Sequence, residues 1–168
     1  FEVDLPATLA HKQTVIDRLG REISSRIAVP VDLGAQPPRE PLERAGFDPT
    51  QPAFVVWEGV INYLDDDAAT ATVRDLADLL APGSRVVADY VENRSYDAES
   101  RSRTKAVAGA LRTGGEPLKA GLLDFAGTFE DAGFRVVQDD AIEELAPRYG
   151  LDERPRFYPA RIATLERR

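Results

Sequence analysis

Cysteine is absent from this 168-residue chain. Its absence excludes disulfides, thiol catalysis and the usual zinc sites. It also removes the best indicator of redox compartment, so a cytoplasmic location stands only as the default expectation. The single histidine, His11, leaves little material for a Ser-His-Asp triad or a multi-histidine metal centre. No apolar run approaches the length that spans a bilayer, and no basic stretch precedes an apolar one as in a signal peptide. Excess positive charge is lacking as well. The net charge of −8 disfavours binding by phosphate neutralisation, so neither nucleic acid nor membrane is an expected partner. Arg94, Arg101, Arg103 and Lys105 form the only candidate basic patch. What remains is 43% apolar and 30% charged, the balance of a globular domain with its own core.

Strand-like and helix-like segments alternate, which predicts an α/β fold with a mostly parallel sheet. Phe1 to Asp4 reads as the end of a strand. Pro6 then opens a helix at its first turn, where the missing N–H is harmless. Leu9, Val15, Ile16 and Leu19 are that helix's expected apolar stripe, and Gly20 stops it. Arg26 to Leu33 (RIAVPVDL) is the next strand, with Pro30 suggesting an edge position or a bend. Residues 34–41 read as a proline-rich loop, followed by a short helix ending near Ala45-Gly46. Pro52 to Val60 (PAFVVWEGV) is apolar enough to predict burial on both faces.

Asp65-Asp66-Asp67 begins the best helix, where acidic residues suit the dipole. Ala69, Val73, Leu76, Ala77 and Leu80 recur at helical spacing until Pro82-Gly83. Ser84 to Val91 is another strand. Residues 92–120 are polar and read as a lid-like excursion with one helix around Ser102 to Leu111. A helix from about Leu122 to Ala132, a strand Arg135 to Gln138, a helix Ala141 to Tyr149 and a strand Ala160 to Leu165 complete a single domain over residues 1–168.

Asp4, Asp32 and Glu58 fall at or just past the C-terminal ends of successive strands. In open α/β sheets, ligands bind in the crevice outside those ends. Carboxylates there offer paired acceptors strengthened by charge, suited to ribose hydroxyls, an exocyclic adenine amine or a cationic amino group. Taken singly, each of these acids reads equally well as a helix cap. Asp89 likewise reads as a cap or a pocket residue, and Tyr90 as a candidate for the substrate pocket.

FEVDLP (Phe1–Pro6) followed by Lys12, then VPVDL (Val29–Leu33), AGFDP (Ala45–Pro49) and WEGVINYL (Trp57–Leu64) come in the order and spacing of the leucine carboxyl methyltransferase-like family. The resemblance runs from residue 1 to about residue 91 and more loosely to Phe134. It implies a Rossmann-like, class I methyltransferase three-layer sandwich with an antiparallel last strand, binding S-adenosylmethionine. By the matching motifs, Asp4 would hold the ribose hydroxyls, Asp32 and Leu33 would contact the adenine, and Glu58 would lie near the methionine portion. Tyr63 would line the substrate pocket. Trp57 stands where the family usually has a small residue, and core packing is the favoured reading of it. The family's Gly-rich loop and first strand belong upstream of Phe1, and the chain opens on Phe, not Met. It is therefore expected to be part of a longer protein and to lack the central strand of its sheet.

The function so implied is methyl transfer to a carboxylate or hydroxyl of a small molecule or peptide. No catalytic acid or base is assigned, because the sulfonium is already a strong donor and the protein chiefly aligns the acceptor. A nicotinamide-dependent reductase also places an acid after its second strand, but no tyrosine here precedes a lysine at the Tyr-x-x-x-Lys spacing. A third reading is a non-catalytic Rossmann-like remnant serving as a binding or assembly module. Open strand edges would favour pairing into a homo-oligomer.

Overall fold

Two short strands pair in parallel at the start of the computed structural model, which describes residues 1–20, 25–91, 119, 121–150 and 160–168. β1 (Glu2–Asp4) aligns Val3 with Val29 and Asp4 with Pro30 of β2 (Ala28–Pro30). Between them, α1 (Pro6–Arg18) carries Pro6 in its first turn. The apolar stripe of α1 is narrower than expected. Leu9 and Ile16, two turns apart on one line, are buried, while Val15 and Leu19 are 39% and 66% exposed. Burial alternates through Ala28, Val29, Pro30, Val31 and Asp32, as a half-covered strand requires. The Val31 N–H donates to the Asp4 carbonyl at 2.9 Å. Pro30, one residue earlier, turns its nitrogen to the other side and loses no ladder bond. The edge position that Pro30 suggested is the one β2 occupies among the described residues.

The second sheet has the order β3-β4-β6-β5. β3 (Phe54–Trp57) runs parallel to β4 (Arg85–Val91), and β6 (Ala160–Arg167) runs antiparallel to both β4 and β5 (Phe134–Ala141). The final strand is thus the reversed one, as expected. β5 is longer than its sequence pattern suggested. A bulge between Val136 and Gln138 breaks the side-chain alternation, yet the ladder continues to Ala141. α2 (Arg39–Arg44), a 3-10 turn (Ile61–Tyr63), α3 (Asp66–Leu79), α4 (Phe125–Asp131) and α5 (Ile142–Arg148) join the strands.

α3 starts where the acidic run predicted. Asp65 is its N-cap and accepts the Ala68 N–H at 3.0 Å. Its stripe of Ala69, Val73, Leu76, Ala77 and Leu80 is buried against Val86, Ala88, Ala163 and Leu165 of the larger sheet. Phe129 of α4 is fully buried at the centre, with its ring against those of Trp57, Phe125 and Phe134. A smaller core of Val29, Val31, Leu42 and Leu79 sits under β2. α3 serves both cores, giving Leu79 to one and Leu76 to the other, and Leu33 and Phe47 pack against each.

The expectation that Pro52 to Val60 is buried on both faces needs correction. Trp57 faces the core, but Phe54 and Val56 on the opposite face are 67% and 62% exposed. Among the described residues nothing covers that face. Among them, too, β1 pairs only with β2 and β3 only with β4, so each keeps one edge without a strand partner. The helix expected around Ser102 to Leu111 and the basic group Arg94, Arg101, Arg103 and Lys105 lie outside the described residues. No helix among the described residues is long and apolar enough to cross a membrane.

Candidate cofactor crevice

The two predicted acids of the small sheet share one end of it. Asp4 closes β1, and its Oδ1 accepts the Leu5 N–H at 2.7 Å. Asp32 lies two residues past Pro30, the register partner of Asp4. Its Oδ1 accepts the Gly34 N–H at 2.9 Å, and its carbonyl accepts from Ala35 and Gln36, both at 2.9 Å. This Asx-type turn reverses the chain at the strand end. In both residues Oδ2 has no partner among the described residues, so each offers a free acceptor. Leu33 is half-buried between the two cores.

The motif around β1 has a second physical meaning. Glu2 bonds both Lys12 of α1 and Arg26 just before β2. Arg26 also donates to Gln13 Oε1 at 2.9 Å. The hydrogen bond from Lys12, and then those charges together, hold the Glu2 carboxyl below its usual range against the opposing effect of burial. Lys12, which recurs with FEVDLP in the resemblance, is thus the tie that fixes α1 to β1. His11 beside it is exposed.

Glu58 is the first residue after β3. It is exposed and makes no hydrogen bond or ion pair among the described residues. Gly59 follows at φ +68°, a left-handed conformation that glycine adopts without strain. Its N–H donates to Oδ1 of Asp89 on β4 at 2.6 Å. Since Trp57 is paired with Ala88, Glu58 and Asp89 stand side by side at the C-terminal end of the larger sheet. The sequence left Asp89 as a cap or a pocket residue; in the structure it bridges two strand ends.

Asn62, inside the WEGVINYL block, had drawn no attention in the sequence. Its Oδ1 faces the Val91 N–H at 3.4 Å, and its carbonyl accepts from Lys119 at 2.8 Å. The stitching continues as Gly121 N–H donates to Leu64 O at 3.0 Å and Leu123 N–H to Asp66 Oδ1 at 2.8 Å. Gly121 has φ +63°, and a Cβ there would meet the Ile61 carbonyl at 3.3 Å. Tyr63 is half-buried beside this crossing.

Tyr90 takes a core position. It alternates with Asp89 along β4, so it shares the face of Val86 and Ala88. Its ring stacks on Phe125 at 3.9 Å, and its hydroxyl donates to Asp139 Oδ2 at 2.8 Å. Asp139 Oδ1 in turn accepts from Arg161 Nε at 2.9 Å. Trp57 is core as well, edge-on to Phe129 at 6.3 Å between ring centroids.

Parallel strands carrying acids on their C-terminal ends, closed by an antiparallel last strand, define the class I methyltransferase fold. The chain superposes on the mitomycin 7-O-methyltransferase MmcR with a TM-score of 0.61, covering 99% of this chain and 41% of that one. At 18% identity that likeness speaks to the fold alone. In sequence, residues 1–77 match the family Leucine carboxyl methyltransferase. A "Putative S-adenosyl-L-methionine-dependent methyltransferase" of Mycobacteroides abscessus is 43% identical over 90 residues, which are 53% of this chain and 30% of that protein. One of the same name from Mycobacterium avium is 33% identical over 162 residues, covering 90% of this chain and 51% of that protein. Through its first 77 residues the chain resembles the leucine carboxyl methyltransferase family. It spans about half the length, or less, of these curated relatives.

Proposed function

We propose that the protein is an S-adenosylmethionine-dependent O-methyltransferase acting on a carboxylate or hydroxyl of a small molecule or peptide, and that this chain carries most of its cofactor crevice. The observation that carries this reading is the placement of Asp4, Asp32 and Glu58 at three strand ends, each with an unbonded carboxylate oxygen. That set of acceptors fits the molecule. Asp4 would accept from the ribose hydroxyls, Asp32 and Leu33 would hold the adenine, and Glu58 would hold the ammonium of the methionine portion. S-adenosylmethionine, when bound, supplies a sulfonium methyl that needs no activation by an acid. The protein's own task is then to hold the nucleoside end rigid and align the acceptor oxygen. The Asx turn at Asp32 and the Glu2–Lys12–Arg26 tie provide that rigidity at the nucleoside end. Tyr63 is the residue we assign to the acceptor side.

Calorimetric titration of the full-length protein with S-adenosylhomocysteine tests the assignment. Asp4→Asn and Asp32→Asn keep an oxygen for the Leu5 and Gly34 N–H groups, and each is expected to weaken binding by about tenfold or more, the order for a lost hydrogen bond to a charged acceptor, with urea midpoints nearly unchanged. Full affinity in both variants would remove the reading. Transfer of labelled methyl then sorts the acceptor chemistry. A methyl ester releases its label as methanol in mild base, whereas a methyl ether retains it.

A further inference from the structure

We infer that Asp89 is the positioning residue for Glu58, and through it sets how strongly the crevice prefers a nucleoside bearing the amino-acid tail over one without it. The inference rests on the cofactor reading above. Glu58 is a single residue between two fixed points. On one side Trp57 is buried and paired with Ala88. On the other, the Gly59 N–H is held by Asp89 Oδ1 at 2.6 Å, in a turn at φ +68°. The side chain between them is exposed and unbonded among the described residues, so its direction is set by backbone alone.

Asp89 lies on the face of β4 opposite the buried Val86, Ala88 and Tyr90, so the aromatic core places no demand on a carboxylate there. Its one bond among the described residues is to Gly59. A carboxylate bound to a backbone N–H makes a strong, short hydrogen bond. Without it, Gly59 regains the wide conformational range of glycine and Glu58 loses its aim. The groups assigned to the nucleoside itself, Asp4 and Asp32, sit on the other sheet and are fixed by their own bonds to Leu5 and Gly34.

The test compares two probes on the full-length protein, S-adenosylhomocysteine and 5′-methylthioadenosine, which lacks the amino-acid tail. Asp89→Ala is expected to weaken the first by about tenfold and to leave the second within about twofold. Asp89→Asn keeps an oxygen that can accept from Gly59 and restores most of the affinity. In a Glu58→Gln background, Asp89→Ala adds little further. The proposal fails if both probes weaken together, which marks a merely structural role. It also fails if Asp89→Asn loses as much as Asp89→Ala, which marks a direct charge contact, or if neither probe responds. Should Glu58→Gln itself leave the preference between the probes untouched, the reading of Glu58 falls and takes this one with it. A shift with Glu58→Gln but none with Asp89→Ala overturns only the role of Asp89.

Discussion

The small sheet and the large one divide the work unevenly. Among the described residues, β1 and β2 rest on four buried side chains, Val29, Val31, Leu42 and Leu79, yet their ends hold Asp4 and Asp32. The four-stranded sheet rests on seventeen, including the Trp57, Phe125, Phe129 and Phe134 rings, and its end holds Glu58. The match to the leucine carboxyl methyltransferase family, over residues 1–77, takes in all of the thinly packed part but Leu79, along with β3, and stops within α3. A large apolar core accepts many sequences of similar volume. A thin one is held by specific bonds, here Glu2 to Lys12 and Arg26, and Asp32 to Gly34. Specific bonds leave specific motifs.

The contrast is broken most directly by cavities. Phe129→Ala empties a fully buried site ringed by three aromatics and is expected to destabilise by about 4 kcal/mol, whereas Leu42→Ala in the small core should cost about 2 kcal/mol. Urea unfolding measures both. Equal losses would mean that α3 couples the two cores into one and that the division drawn here has no energetic content.

A smaller effect is expected at the polar seam of the large sheet. Tyr90→Phe removes the donor to Asp139 while leaving Asp139 bonded to Arg161. Because the remaining partner still satisfies the carboxylate, the loss should be about 1 kcal/mol, with the Phe125 stacking intact. A loss as large as that of Phe129→Ala would show that the three groups act as a single network.

Much of this was legible beforehand, and the failures have a common cause. The α3 stripe was readable because an acidic start precedes apolar residues at helical spacing, although Thr72 and Leu79, which are buried too, fall outside the stripe read from the sequence. The strand-end positions of Asp4, Asp32 and Glu58 were readable because each ends an apolar run. The burial of β3 was misread because period cannot say which face is covered, and Phe54 and Val56 look as apolar as Val55 and Trp57. The length of β5 was hidden by the bulge at Val137, which shifts the alternation by one. Asn62 and Asp89 were missed or left open because each acts on the backbone of a distant segment, and no local pattern records that.

Acid separates the regions differently. The folded-state carboxyl of Glu2 lies below the ordinary glutamate value of 4.5. Its stabilising contribution is therefore complete above that value and is lost as pH falls through the lowered one. Glu2→Gln should be less stable than the parent at pH 7, with the difference closing on acidification. The difference should also shrink at high salt, since Lys12 is half-exposed. A gap that persists unchanged into strong acid would mean that Glu2 acts by packing and not by charge.

The smallest effect has the opposite sign and sits on the helix that joins the two cores. Asp75 of α3 has its carboxyl raised above the ordinary 3.8, first by burial and then by the charge of Asp78, with Arg39 of α2 only partly offsetting them. A raised acid disfavours the folded state while it is ionised, and the penalty fades as pH falls through its folded value. Asp75→Asn keeps the shape and removes the charge, so its denaturation midpoint should rise slightly at pH 7 and coincide with that of the parent below about pH 3.8. Arg39 donates to the Asp78 carbonyl and to Glu43 Oε1, not to Asp75, so the substitution breaks no bond between α2 and α3. A fall in stability at pH 7 would show instead that the attraction between Arg39 and Asp75 helps hold α2 to α3, and that the small core depends on charge more than its four apolar residues imply.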